Sequence, residues 1–236
     1  MSISGVLGWL ILLIFIPHSK QTKKEASLRL SAYILVLKNK FAMVYILLAA
    51  LLMATYYTFV GMASLLFIEG LGLTLSEFGV YMAIATLTFG IPSIFSGKLI
   101  KLVGKKHALF AILLLLFSFV IIAALLILNE VSVPAFILFA SMLFIVGMIM
   151  PVNEGFALAL ESAADAKGQV SALISNFKWI FTIIGVQTAS YFYHGRYLSV
   201  GLTLMTMIIA CILLAIFAYR KDPKITIALQ AAPEKN

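Results

Sequence analysis

The chain has 236 residues, 63% of them hydrophobic and 11% charged, with a mean hydropathy of +1.12. Soluble domains run near half apolar and a quarter charged, so a soluble globular class is excluded and a membrane class remains. The formal charge is +8, but the basic residues fill short loops between apolar runs, which points to lipid headgroups and topology and not to nucleic acid.

A membrane span needs about 20 mostly apolar residues. Seven runs are candidates: 2–17, 41–68, 77–97, 107–128, 133–160, 169–193 and 198–219. The predicted architecture is an all-α membrane protein of about seven transmembrane helices. It divides into a first helix (1–17), a basic connector (18–40), a six-helix bundle (41–219) and a tail (220–236). The first run is short and begins almost at Met1, as the later part of a longer protein would. Within the connector, LRLSAYILVL (28–37) suits either a helix in the headgroup layer or an early start of the second span.

The basic residues set the orientation. Segments 18–40, 98–106, 161–168 and the tail hold 15 of the 17 Lys and Arg, whereas the alternate loops hold Arg196 alone and Lys178 is intramembrane. Positive loops face the cytoplasm, so the expected C-terminus is cytoplasmic.

The spans differ in character. The first, fourth and seventh are plain and apolar all round, as lipid-facing helices are. The third carries Gly79, Ala83, Thr86, Gly90, Ser93 and Gly97 at steps of 4 and 3, a small-residue face suited to close helix contact. The sixth carries Ser171, Ser175, Lys178, Thr182 and Gly185 likewise, and the second Ala50, Ala54, Tyr57, Gly61 and Ser64. In the fifth, Pro134 opens the helix, where its missing N–H costs nothing, and Pro151 lies in the interior.

Two intramembrane charges stand out. Glu154 precedes the loop at 161 by about 10 Å of helix and Lys178 lies about 13 Å past 169, at 1.5 Å per residue. Such residues are rare and face a pathway or a partner. These depths match, so one reading puts both in a single polar cavity as an interacting pair; the other has Lys178 snorkelling and Glu154 protonated. Tyr56, Tyr57, Asn153, Asn176 and Trp179 are further cavity candidates, being polar or aromatic among apolar neighbours, with ordinary packing as their alternative. His18, His107 and His194 sit scattered at span ends, where an interfacial role fits better than a metal site. No cofactor motif and no hydrolase or metalloprotease motif is present, so an enzyme is not expected. The lone cysteine, Cys211, lies in an apolar run and is expected to be inert.

Plain and striped spans alternate with a period of three, which fits two three-helix units after one extra helix, a transporter design. At this point the sequence resembles the C-terminal half of a major facilitator superfamily transporter. There every third helix faces lipid, so the seven spans would be helices six to twelve. GKLIKLVGKK (97–106) is similar to the second copy of the family's loop motif through Gly97, Leu99, Gly104, Lys105 and Lys106, with Lys101 where the first copy has Asp. The stretches 59–109 and 150–173 resemble the Bcr/CflA drug-efflux branch, although Glu154 departs from that branch's pattern. The resemblance implies alternating access and proton-coupled efflux of small molecules from a bacterial inner membrane. It also implies that a separate N-terminal half or a second copy would complete the cavity; the alternative is a truncated, inactive or assembly protein. The expected partners are the bilayer and a small-molecule substrate.

Overall fold

In a computed structural model, residues 30–103, 107–128, 134–163 and 166–221 are described. The expected first span, the connector up to 29 and most of the tail lie outside them. The described residues from Ala32 onward form one compact unit.

The described residues are helical, without a strand, in the order α1 (Leu30–Lys38), α2 (Lys40–Ser64), α3 (Leu75–Ile94), α4 (Ser96–Val103), α5 (His107–Leu128), α6 (Pro134–Ser162), α7 (Lys167–Tyr191) and α8 (Tyr197–Lys221). Six helices among the described residues are long and apolar enough to cross a membrane: α2, α3, α5, α6, α7 and α8. Their bounds follow the expected spans 41–219 within a few residues, and Pro134 is the first residue of α6.

Local chemistry explains the breaks. Within segment 28–37 the described residues, from Leu30 on, belong to α1, a helix separate from α2. Asn39 has extended backbone (ψ 96°), and its side-chain oxygen accepts from the N–H groups of Phe41 and Ala42, satisfying donors that open every helix. Its amide Nδ2 donates to the carbonyl of Ser162 at 3.1 Å, so one residue caps α2 and ties its start to the end of α6. Thr74 and Glu77 form a reciprocal capping box at the start of α3. The expected span 77–97 stops earlier, since α3 ends at Ile94, two residues after Pro92, and Ser96–Val103 forms a helix of its own. At the far end of α2 the chain widens into a π-helical turn over Leu65–Gly70. There the Tyr193 hydroxyl donates to the Leu65 carbonyl at 2.9 Å, and a Cβ on Gly70 would collide with that hydroxyl.

In the packing, α2 contacts α6, α7 and α8, while α6 also touches α3 and α5. Of the most apolar window in each, 61% is buried in α2 and α6, 28% in α5 and 6% in α3. The core is a close-packed seam around α2, with Tyr45, Ile46, Leu48 and Leu52 fully buried, completed by Leu115 of α5 and Ile145 of α6. Gly147 lets α6 approach α5, since a Cβ there would lie 2.9 Å from Leu114 Cβ and 3.3 Å from the Ala111 carbonyl. The plain helix α5 shows Leu109, Leu113, Phe117 and Val120 on its outside, as lipid contact requires.

Candidate functional site

The small-residue faces meet different fates. On α3, Ala83 and Thr86 are exposed, and a Cβ on Gly79 or Gly90, or on Gly97 of α4, would meet nothing within 4 Å. On α7 the same kind of face is closed over part of its length. Thr182 and Gly185 are buried, and a Cβ on Gly185 would fall 2.5 Å from Thr58 Oγ1 of α2 and 3.0 Å from Met207 Sδ of α8. Farther along the same pair of helices, a Cβ on Gly61 would lie 3.1 Å from Val186. Thus α7 uses its stripe to pack on α2, leaving α3 with the open one.

Where α7 leaves that seam, a polar and aromatic cluster forms. The Lys178 ammonium sits 5.0 Å above the Tyr57 ring and 4.5 Å from the Trp179 ring, with Tyr57 and Trp179 themselves 5.5 Å apart. Tyr57 meets Tyr56 edge-on at 5.4 Å, and Tyr56 stacks on Phe89 of α3 at 5.2 Å and 13°. A continuous aromatic strip therefore runs from α3 across α2 to α7. Tyr56 is nearly buried, Lys178 and Tyr57 are half-buried, and Trp179 is 50% exposed.

The expected pairing of Glu154 with Lys178 is not what the structure shows. Equal depth along two helices says nothing about their rotation, and Glu154 turns toward α5 and α8. Its carboxylate lies 3.0 Å from His107 Nε2 and accepts from the Tyr219 hydroxyl at 3.0 Å. The side chains of His107 and Glu154 are 13% and 21% exposed. His107, expected as an interfacial residue, and Tyr219, which no sequence motif marks, are thus the partners of Glu154. The available signal was positional: Glu154 lies near the end of α6, His107 starts α5 and Tyr219 ends α8, all at one end of the bundle.

Magnitudes separate the two charges. A hydrogen bond to a charged group contributes about 1.5–3 kcal/mol, so two of them settle Glu154 within the protein. A charged side chain at mid-membrane costs about 2.5–3.5 kcal/mol on insertion scales, and each ring face returns about 0.5–2 kcal/mol. Tyr57 and Trp179 thus offset much of the cost of Lys178 but leave its charge unneutralised; no carboxylate among the described residues pairs with it.

The other expected site residues scatter. Asn153 of α6 and Asn176 of α7 are exposed. Of the loop motif, Gly97 and Leu99 fall on α4, and Gly104, Lys105 and Lys106 lie outside the described residues. Among the described residues no three His, Cys, Asp or Glu side chains gather to hold a metal ion. Cys211 is buried, its sulfur 3.7 Å from Thr55 Oγ1. A groove of about 340 Å³ runs between α7 and α8, lined by Phe181, Gly185, Thr188, Ser199, Thr203 and Met207 among others. Its hydroxyl-bearing residues are Thr188 of α7 and Ser199, Thr203 and Thr206 of α8, and none belongs to the Lys178 cluster.

Comparison with curated proteins and with solved structures finds no match. The sequence does match the profile of the Major Facilitator Superfamily over residues 1–186. Six apolar helices of spanning length, an all-α bundle and a match over most of the chain agree, and the chain belongs to the major facilitator superfamily of membrane transporters.

Proposed function

We propose that the chain is the C-terminal half of a proton-coupled efflux transporter of the Bcr/CflA kind, exporting small amphipathic molecules from a bacterial inner membrane. In this reading the lysine-rich loops and the C-terminus are cytoplasmic, and α2, α3, α6 and α7 face a complementary six-helix half across the substrate cavity. The observation that carries it is the open side of the bundle. The face of α3 is built from small residues, and a Cβ on either of its glycines, Gly79 or Gly90, would touch nothing, while the adjoining strip of Tyr56, Tyr57, Lys178 and Trp179 is the chemistry a ligand wall needs. Asn176, exposed beside that strip, belongs to the same wall, and Asn153 lies on α6. Lys178 is the charge of the cavity. Glu154 is the charge of the scaffold, holding α5, α6 and α8 together at the cytoplasmic end.

The test is energised dye efflux. Cells stripped of their own pumps and expressing the full chain, alone and with a complementary six-helix half, are loaded with fluorescent amphipathic dyes of either charge. Efflux that stops on adding a protonophore and falls several-fold in Trp179→Ala is the expected outcome. Absence of efflux for every dye, with and without the complementary half, overturns the transport reading.

A further inference from the structure

We propose that Lys178, with the rings of Tyr57 and Trp179, is an anion-recognition site that makes aromatic anions, such as amphipathic carboxylates, the preferred cargo of the cavity wall. This rests on the transport reading above and adds a charge preference that reading does not contain.

The geometry has three parts. The ammonium is held by ring faces alone, at 5.0 and 4.5 Å, so its N–H donors are not committed to any oxygen of the described chain. Thr182, one turn on, donates its hydroxyl back to the Lys178 carbonyl at 2.8 Å. The indole of Trp179 is half exposed beside the ammonium, which leaves an aromatic surface open next to a fixed positive charge.

A bound aromatic carboxylate satisfies all three at once. Its oxygens take the free N–H donors in a charge-assisted bond, its negative charge cancels the cost of a lone cation among apolar groups, and its ring stacks on Trp179. A cation of the same shape meets a like charge a few ångströms away. The ring faces turned toward the ammonium, which would otherwise welcome a cation, already hold it. Glu154 cannot reverse this preference, because its carboxylate is engaged by His107 and Tyr219.

The experiment uses Trp179 as its own reporter. The sequence has two tryptophans, Trp9 and Trp179, so Trp9→Phe leaves a single emitter in the full chain reconstituted in lipid nanodiscs. Two quenchers of like shape are titrated, 4-nitrobenzoate and 4-nitrobenzylammonium. The carboxylate is expected to bind at least about tenfold tighter than the ammonium, the effect of one charge-assisted hydrogen bond. Lys178→Arg keeps the preference and Lys178→Gln removes it, with helical circular dichroism unchanged in both. Equal or tighter binding of the ammonium overturns the inference, and so does a preference that survives Lys178→Gln. Binding of neither compound overturns it as well. If an acid of the complementary half neutralises Lys178, the preference vanishes when that half is added, which also counts against it. Any of these failures with dye efflux intact leaves the transport reading standing; loss of efflux for every dye removes both.

Discussion

The α2–α7 seam and the open face of α3 are made of the same residue types and behave in opposite ways. Gly185 is pinned between Thr58 and Met207, whereas a Cβ on Gly90 would meet nothing within 4 Å. The two intramembrane charges repeat the contrast, with Glu154 bonded to His107 and Tyr219 and Lys178, among the described residues, resting on ring faces. A stripe of small residues therefore marks a contact without saying with what, and an intramembrane charge marks a need without saying how it is met. What distinguishes the seam is that its neighbours belong to this chain.

The widest gap in that contrast is expected between two glycine substitutions. Gly185→Leu forces its side chain into Thr58 and Met207, and overpacking of this kind costs about 3 kcal/mol. In a bundle of this size that lowers the melting temperature in detergent by roughly 10 °C. Gly90→Leu should change the melting point of the chain alone by almost nothing, within about 0.5 kcal/mol. Its effect should appear instead as lost co-purification with a complementary half. Equal melting points for the two variants would erase the distinction between seam and open face.

Next in size is Glu154→Leu. It removes the acceptor shared by His107 and Tyr219 and with it the link between α5, α6 and α8, at a cost of about 2 kcal/mol. Glu154→Gln keeps an acceptor of the same shape and should lose about half as much. Thermal scanning of both variants beside the parent chain gives the comparison, and a Glu154→Leu chain as stable as the parent would show the cluster to be idle.

Much of this was legible in the sequence. Span lengths, the Pro134 start and the plain faces of α5 follow from composition and periodicity, because a helix in lipid must satisfy its own backbone and shows its apolar side chains where lipid is. The break at Asn39 was legible only as two alternatives; the side chain decides between them by bonding both to Phe41 and to Ser162, 123 positions away. The partner of Glu154 was not legible, since depth counted along an axis fixes height and leaves rotation open. The mistaken pairing with Lys178 arose from matching heights on helices that turn those residues to different neighbours. Asn39→Ala tests the same point at smaller scale. It removes the cap and the tie to Ser162 together, and should cost about 1–2 kcal/mol, visible as faster hydrogen exchange in the first turn of α2 and the last turn of α6. Exchange that quickens in α2 alone would show the tie to α6 to be incidental.

The smallest expected change is also the one whose sign carries most meaning. Lys178→Met keeps the length of the side chain and its packing on Tyr57 and Trp179 while deleting the charge. Methionine sulfur rests on aromatic rings at about 0.3–1.5 kcal/mol, comparable to the ring contacts the ammonium gives up, and no desolvated cation remains to be accommodated. Stability should therefore hold or rise slightly, by about 1 kcal/mol at most, in contrast to the loss in Glu154→Leu. A residue whose removal leaves the fold intact or firmer is not there for the fold. If Lys178→Met instead melted as early as Glu154→Leu, the ammonium would be a structural tie after all, and the division between a scaffold charge and a cavity charge would fail.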